Sequence, residues 1–411
     1  MSSVVANKRK IINDPVFGFI SIPNDLVFDV LQHPYVQRLS RIRQLGLSNF
    51  VYPGAVHTRF LHSIGAMSLM QDAIAVLRQK GIEISHAESI AAQVAILLHD
   101  VGHGPFSHVL ENTLVRGLSH EQVSLRMMQK INEQMQDKLS LAIQIFTDEY
   151  SRHFLHQLIS SQLDVDRLDY LCRDSFFCGV SEGTVASARI LKMLNVLDDR
   201  LVVESKGIYS IEKFLVARRL MYWQVYLHKT SVAAEQQLIY ILRRAKDLAH
   251  KGQDLFASDA LRFFLYEDVS ATDFLTDDSV LDKYALLDDS DVLSAVKQWQ
   301  NTGDVVLSTL SRGFTNRCLF KARMSESPLT EQERKELREQ YARHFGIDEQ
   351  QACYFFDEYS VSKDTYSPRD DSIDILFADG TTKDISQASD MLNLRMLTRR
   401  AVKHYLFYYK I

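Results

Sequence analysis

The chain has 411 residues, 46% of them hydrophobic, with a formal charge of -5 and a sequence pI near 6.3. That length exceeds what one hydrophobic core supports, so two or three packed subdomains are expected. The acidic balance excludes a general nucleic-acid coat, whose affinity rests on Lys and Arg neutralising phosphates, so any phosphate binding must be local. Cys172, Cys178, Cys318 and Cys353 form no C-x-x-C pair and no small secreted framework, which fits a reducing, cytoplasmic setting. The basic N-terminus "MSSVVANKRKIIND" lacks the apolar core of a signal peptide. No segment is expected to reach the roughly 20 apolar residues of a membrane span, so no membrane partner is expected.

Taken in order, the chain reads as mainly α. Leu61, Ile64, Met67, Ala73, Ile74 and Leu77 recur at helical spacing within 61–80. Ser85 and Glu88 open the next helix as a capping box, and it runs apolar through "AAQVAILL" until Gly102, Gly104 and Pro105 stop it. His99 and Asp100 therefore fall at a buried helix's C-terminal end. Ser119 and Gln122 repeat the box. The stretch "SSQLDVDRLDYLCRD" predicts a helix with Asp166, Tyr170 and Asp174 on one face.

Short β pieces follow. "LVVESKGIYS" predicts a hairpin turning at Lys206 and Gly207, and "SIDILFADGTTKDIS" a second one turning at Asp379 and Gly380. Between them, 211–249 reads as one long helical run. Acidic composition over 266–292 and the Ser327–Pro328 break place soft boundaries near 250 and 345. The expected units are a catalytic core over 1–250, a helical extension over 251–345 and an α+β subdomain over 346–411. No repeat stands out.

The chemistry concentrates in "LLHDVGHGPFSH". A lone His-Asp doublet means little, but His99, His103, His108 and His120 crowd one short stretch beside an apolar run. Buried imidazoles and carboxylates are costly unless paired or metal-bound. His62 and Asp166 complete two imidazoles and two carboxylates with His99 and Asp100. That donor set suits iron, manganese, cobalt, nickel or zinc, with magnesium at a carboxylate-rich second position.

The segments "HTRFLHS", "LLHDVGHGPFSH", "SHEQVS" and "DVDRLDYLCRD", in that order and spacing, resemble the HD-domain phosphohydrolases. More narrowly, they are similar to the deoxynucleoside triphosphate triphosphohydrolases whose vertebrate member adds a sterile-alpha-motif domain, a domain not expected here. The resemblance spans about the first 230 residues, from "INDPVFGFISI" to "VYLHKT". It implies an HD-domain helical core with short β-hairpins and a smaller α+β C-terminal region.

The resemblance also implies roles. His62, His99, Asp100 and Asp166 match the metal ligands. His103, His108 and His120 match histidines of the catalytic pocket, with His108 protonating the leaving O5′ and Glu111 orienting an imidazole. Arg59 and Arg167 match triphosphate contacts, and Arg218 one to the γ-phosphate. Gln44 and Asp174 match contacts to the sugar 3′-hydroxyl, Leu45 and Tyr226 the wall crowding the 2′ carbon, and Tyr170 a residue beside the sugar. Attack at the α-phosphorus would release a deoxynucleoside and inorganic triphosphate.

The resemblance further implies a homo-oligomer, dimer or tetramer, and a nucleotide effector. Two departures qualify this. Tyr222 stands where the vertebrate type has a histidine near the base. Gln32 and Ser40 replace an aspartate and an arginine of its effector site, although Gln37, Asn13 and Lys10 persist. Two other readings stand beside this one. The first is a phosphodiesterase or exonuclease on single-stranded DNA, using "RLSRIRQ" and "RMLTRRAVKHY" as local basic surface. The second is a nucleotide-sensing module with little turnover.

Overall fold

The computed structural model describes residues 10–106, 108–111, 113–114, 117–325, 327–363, 372–390 and 401–411. An N-terminal hairpin of β1 (Ile11–Asp14) and β2 (Gly18–Ser21) precedes four helices that frame the site: α1 (Arg59–Gln79), α2 (His86–Leu98), α3 (His120–Gln134) and α4 (Val165–Cys178). The expected mainly α fold is what forms.

The helix α1 is buried on most of its surface and packs against both α2 and α4. With so many faces covered, its sequence is apolar nearly all round, and by length and composition alone it could cross a membrane. This corrects the expectation that no segment reaches that length. The physical reason is burial in protein, because 61% of its apolar window lies inside the fold.

Local signals place the next helices well. Ser85 accepts from the Glu88 backbone while the Glu88 carboxylate accepts from the Ser85 backbone, and Ser119 and Gln122 do the same for α3. The helix α4 starts later than its sequence suggests. Asp164 accepts from the Arg167 N–H and so becomes the N-cap, and Gly179 closes the far end at φ 68.

The first predicted hairpin is misplaced. The pair that forms is β3 (Leu194–Leu197) with β4 (Arg200–Glu204), turning at Asp198 and Asp199 with φ of 49 and 60. Both turn residues are left-handed, which short polar side chains tolerate best after glycine. Gly207 serves packing instead, since a Cβ there would meet Val203 Cγ1 at 2.8 Å. Asp198→Val is expected to cost about 1–2 kcal/mol, read from urea unfolding midpoints, with Asp198→Gly near wild type. Equal midpoints for both variants would contradict the turn assignment.

The long helical run also divides. It forms α5 (Ile208–Met221), a π-helical segment Tyr222–Tyr226, and α6 (Lys229–His250), with His228 capping α6 by accepting from the Thr230 N–H. Single π turns inside helices concentrate at functional sites, and this one carries Tyr222 and Tyr226. Further on come β5 (Lys321–Ser325), β6 (Phe356–Lys363), β7 (Asp374–Leu376), β8 (Thr382–Asp384) and β9 (Ala401–Tyr408). The second hairpin, β7 with β8, forms as read, with Gly380 at φ 83.

Both larger sheets cross the boundary expected near 345. The strand β4 pairs in parallel with β7, and β9 lies between β5 and β6. Ion pairs Arg41–Asp288 and Arg43–Asp289 likewise join 251–345 to the N-terminal part.

Candidate metal centre and active site

Three helix ends deliver the candidate ligands. His62 lies in the first turn of α1, His99 caps the C-terminus of α2, and Asp166 lies in the first turn of α4. Asp166 Oδ1 stands 3.0 Å from His62 Nε2 and 3.4 Å from His99 Nε2. The two imidazole rings meet edge to face at 5.3 Å.

The second ring nitrogen of each histidine fixes its tautomer. His62 Nδ1 lies 2.6 Å from Asp169 Oδ2, and His99 Nδ1 lies 2.7 Å from the Ile96 carbonyl. A carboxylate and a carbonyl only accept, so both Nδ1 atoms carry hydrogen and both Nε2 atoms, left for a metal, face Asp166. Among the described residues neither buried Nε2 has a hydrogen-bond partner. Two unpartnered imidazole Nε2 atoms converging with one carboxylate oxygen are a donor set that suits a divalent ion, which would take the place of any proton there, and the residues present fit one.

A second group adjoins the first. Asp100 Oδ1 lies 3.5 Å from His99 Nε2 and 3.3 Å from His103 Nε2. His103 stacks on His120 at 3.9 Å, and Asp100, His103 and His120 also lie within metal-sharing distance of one another. Asp100 thus faces both groups. Burial opposes charge on His62, but Asp166 and Asp169 outweigh it and push its pKa up to about 10. Burial, then Arg59, pushes His103 down to about 3. The first group is built to hold positive charge, while His103 stays neutral in the free protein.

The glycines of this loop work by leaving space. A Cβ on Gly102 would meet the Ser124 N at 2.3 Å, and one on Gly104 the Tyr284 hydroxyl at 2.7 Å. Neither has positive φ; among the described residues of the loop, Phe106 is left-handed, at φ 52. The close docking of the loop on α3 and Tyr284 explains the identity of Gly102 and Gly104.

Beside the metal groups opens a cavity of about 520 Å³ lined by Gln44, Leu45, Arg59, Tyr222 and Tyr226 among others. Arg59 links the two, its Nη1 donating to Asp100 Oδ2 at 2.5 Å. Gln44 Oε1 is a buried acceptor with no hydrogen-bond partner among the described residues. Asp174 is buried and receives the Tyr226 hydroxyl at 2.9 Å on one oxygen and faces His57 Nε2 at 2.7 Å on the other. Tyr170 packs edge-on against Tyr226.

Arg167 is ion-paired with Asp164, and Arg218 donates to Gln162. Lys10, Asn13, Gln32 and Ser40 are exposed, while Gln37 donates to the Leu31 carbonyl. His108 and Glu111 bound a short helix, but their side chains lie outside the described residues.

Several site residues escaped sequence reasoning. Asp169 sits three residues past Asp166 and Arg173 four past Asp169, an ordinary ion-pair spacing that looks like solvated surface until the tertiary structure buries it. His57 was visible in "VHTRF", but nothing local pointed it at Asp174. Glu235, Gln236 and Tyr359 line the cavity from α6 and β6 and carry no motif.

Helix ends converging on paired histidines and carboxylates, with a cavity alongside, define an HD-type hydrolytic centre, and the comparisons agree. The HD domain family matches residues 59–174, and the HD associated region matches residues 185–276. YwfO of Bacillus subtilis, an uncharacterised protein, is 31% identical over 98% of this chain and 93% of its own length. The chain belongs to the HD-domain phosphohydrolases of the SAMHD1 type, metal-dependent hydrolases.

Two other relatives sharpen the likeness. A phosphohydrolase from Bacteroides thetaiotaomicron has a crystal structure that is 58% identical, covers 98% of this chain and 100% of its own, and superposes with a TM-score of 0.95. Human deoxynucleoside triphosphate triphosphohydrolase SAMHD1 is 27% identical over 58% of this chain. The chain spans about half of that relative's length, 45%.

Proposed function

We propose that the protein hydrolyses deoxynucleoside triphosphates to a deoxynucleoside and inorganic triphosphate. The observation that carries this is the cavity of about 520 Å³, which joins the metal groups through Arg59 and Asp100. That volume is in the ordinary range for a small-molecule site. His62, His99, Asp100 and Asp166 would hold the ion, with iron, manganese, cobalt, nickel or zinc suiting the donors and magnesium a second position. When bound, such an ion supplies Lewis acidity at a phosphoryl group and makes a nearby water more acidic.

The chain's own residues supply the rest. Arg59 offers a planar guanidinium to phosphate oxygens beside the ion. Arg167, Arg218 and Tyr170 are assigned to the outer phosphates and sugar, as the family resemblance implies. Gln44 Oε1, a buried acceptor lacking a partner among the described residues, suits a sugar 3′-hydroxyl. Tyr226, anchored by Asp174, and Leu45 line the cavity and are assigned to the wall that crowds the 2′ carbon, which would favour deoxyribose. Tyr222 borders the same cavity toward the base. His103 and His120 stack beside Asp100 at the reacting end, and the family resemblance assigns His108 as proton donor and Glu111 as its orienting carboxylate.

The test is to incubate the purified chain and Asp166→Ala with each deoxynucleoside triphosphate, each ribonucleoside triphosphate and a single-stranded DNA oligomer, across divalent metals and nucleotide effectors. Inorganic triphosphate should appear from deoxynucleotides and fall at least about 100-fold in Asp166→Ala, with metal content lost together. Absence of triphosphate under every condition would overturn the proposal. Mononucleotides released from the oligomer would support the phosphodiesterase reading instead.

A further inference from the structure

His62 is held from behind by a chain of buried charges that ends in the N-terminal hairpin. Asp169 Oδ2 lies 2.6 Å from His62 Nδ1. Arg173 donates Nε to Asp169 Oδ2 at 2.9 Å and Nη2 to Asp169 Oδ1 at 2.8 Å. Its third arm, Nη1, donates to Asp14 Oδ2 at 2.7 Å. Asp14 Oδ1 accepts from the backbone N–H groups of Val16 at 2.9 Å and Phe17 at 2.8 Å, within the turn joining β1 and β2. The Phe17 ring lies 5.6 Å from the Arg173 guanidinium. His62, Asp169 and Arg173 are fully buried, and Asp14 is 5% exposed.

We propose that Asp14 and Arg173 are positioning residues for the metal ligand His62, so that the N-terminal hairpin is a working part of the metal centre. The order of the groups gives the reason. Asp169 sets the His62 tautomer only while it is ionised and its plane is fixed. Arg173 does both by gripping its two oxygens as a rigid fork. The fork is itself aimed by Asp14, since without that carboxylate one buried guanidinium arm loses its partner and the grip on Asp169 can rotate. The packing leaves no slack, because a Cβ on Gly65 of α1 would lie 2.0 Å from both Arg173 Nη2 and Asp169 Oδ1. A displacement at the hairpin turn is therefore passed to the imidazole rather than absorbed.

This inference rests on the metal centre but not on the nucleotide substrate. Its test uses the full chain stripped of metal and titrated with cobalt(II), following the visible absorption bands. Asp14→Asn is expected to bind cobalt about 10-fold more weakly with a shifted spectrum, and Arg173→Lys more weakly still. Asp14→Glu should recover part of the loss. Phe407→Leu, in the C-terminal sheet, serves as a control that lowers the melting temperature without touching the chain of charges, and should keep wild-type affinity. A folded Asp14→Asn with wild-type affinity and spectrum overturns the proposal, as does an equal loss in the control. If Asp14→Asn does not fold, Arg173→Lys and Asp14→Glu carry the same readings. Failure of the functional reading looks different: a wild-type chain that binds cobalt normally yet never releases triphosphate.

Discussion

Gly65→Ala is expected to cost about 3–5 kcal/mol of folding stability, the range for breaking a buried ion pair, and to abolish metal loading. Gly65 lies one turn beyond His62 on α1, where the helix backbone touches the Arg173–Asp169 pair. An added methyl would sit 2.0 Å from a charged atom of each partner, and both are fully buried. Such atoms have no exposed volume into which to retreat, so the pair must separate or α1 must move. Either movement releases Asp169 from His62. Denaturant midpoints and cobalt binding measure the two effects. A Gly65→Ala protein matching wild type in both would show that the helices are not packed as described.

Arg38→Met should be nearly as damaging, for a different reason. Arg38 is fully buried and has no carboxylate ion-pair partner among the described residues, a costly arrangement unless its donors are all used. It donates to the carbonyl oxygens of His103 at 2.6 Å, Val101 at 3.0 Å and Leu287 at 3.3 Å, and lies over the Tyr284 ring at 5.1 Å. Two of these carbonyls flank Gly102, so one side chain holds the loop that carries Asp100 and His103. Methionine keeps the volume and leaves three buried carbonyls without that donor, at about 1–3 kcal/mol each. The expected loss is about 3–5 kcal/mol in stability, allowing for partial relaxation. Turnover should fall about 100-fold, the scale of a misplacement near 1 Å, with KM changing less than kcat. A stable variant with unchanged kcat would deny Arg38 this positioning role.

How far the sequence reached can be judged residue by residue. Capping boxes at Ser85–Glu88 and Ser119–Gln122 were legible because both partners lie within one helical turn. The Asp379–Gly380 turn was legible because glycine supplies left-handed backbone at the place where the chain reverses. The same rule misled at Gly207, since a glycine also answers a need for space, and sequence does not separate the two uses. The actual turn used Asp198 and Asp199, whose left-handed conformations local composition did not single out.

The site divides along the same line. By itself the sequence determined the residue types and their order: histidines and aspartates beside an apolar helix, in segments that resemble one family. Tertiary structure alone decided which atoms meet. It brought His62, His99 and Asp166 within ligand-sharing distance, turned Asp100 toward both groups, and tied Asp14 to Arg173 across most of the catalytic region. Pairs such as Asp14–Arg173 leave no periodic trace, because burial rather than chain proximity makes them interact. A surface ion pair and a buried one share the same letters, and only the fold removes the water that separates their meanings.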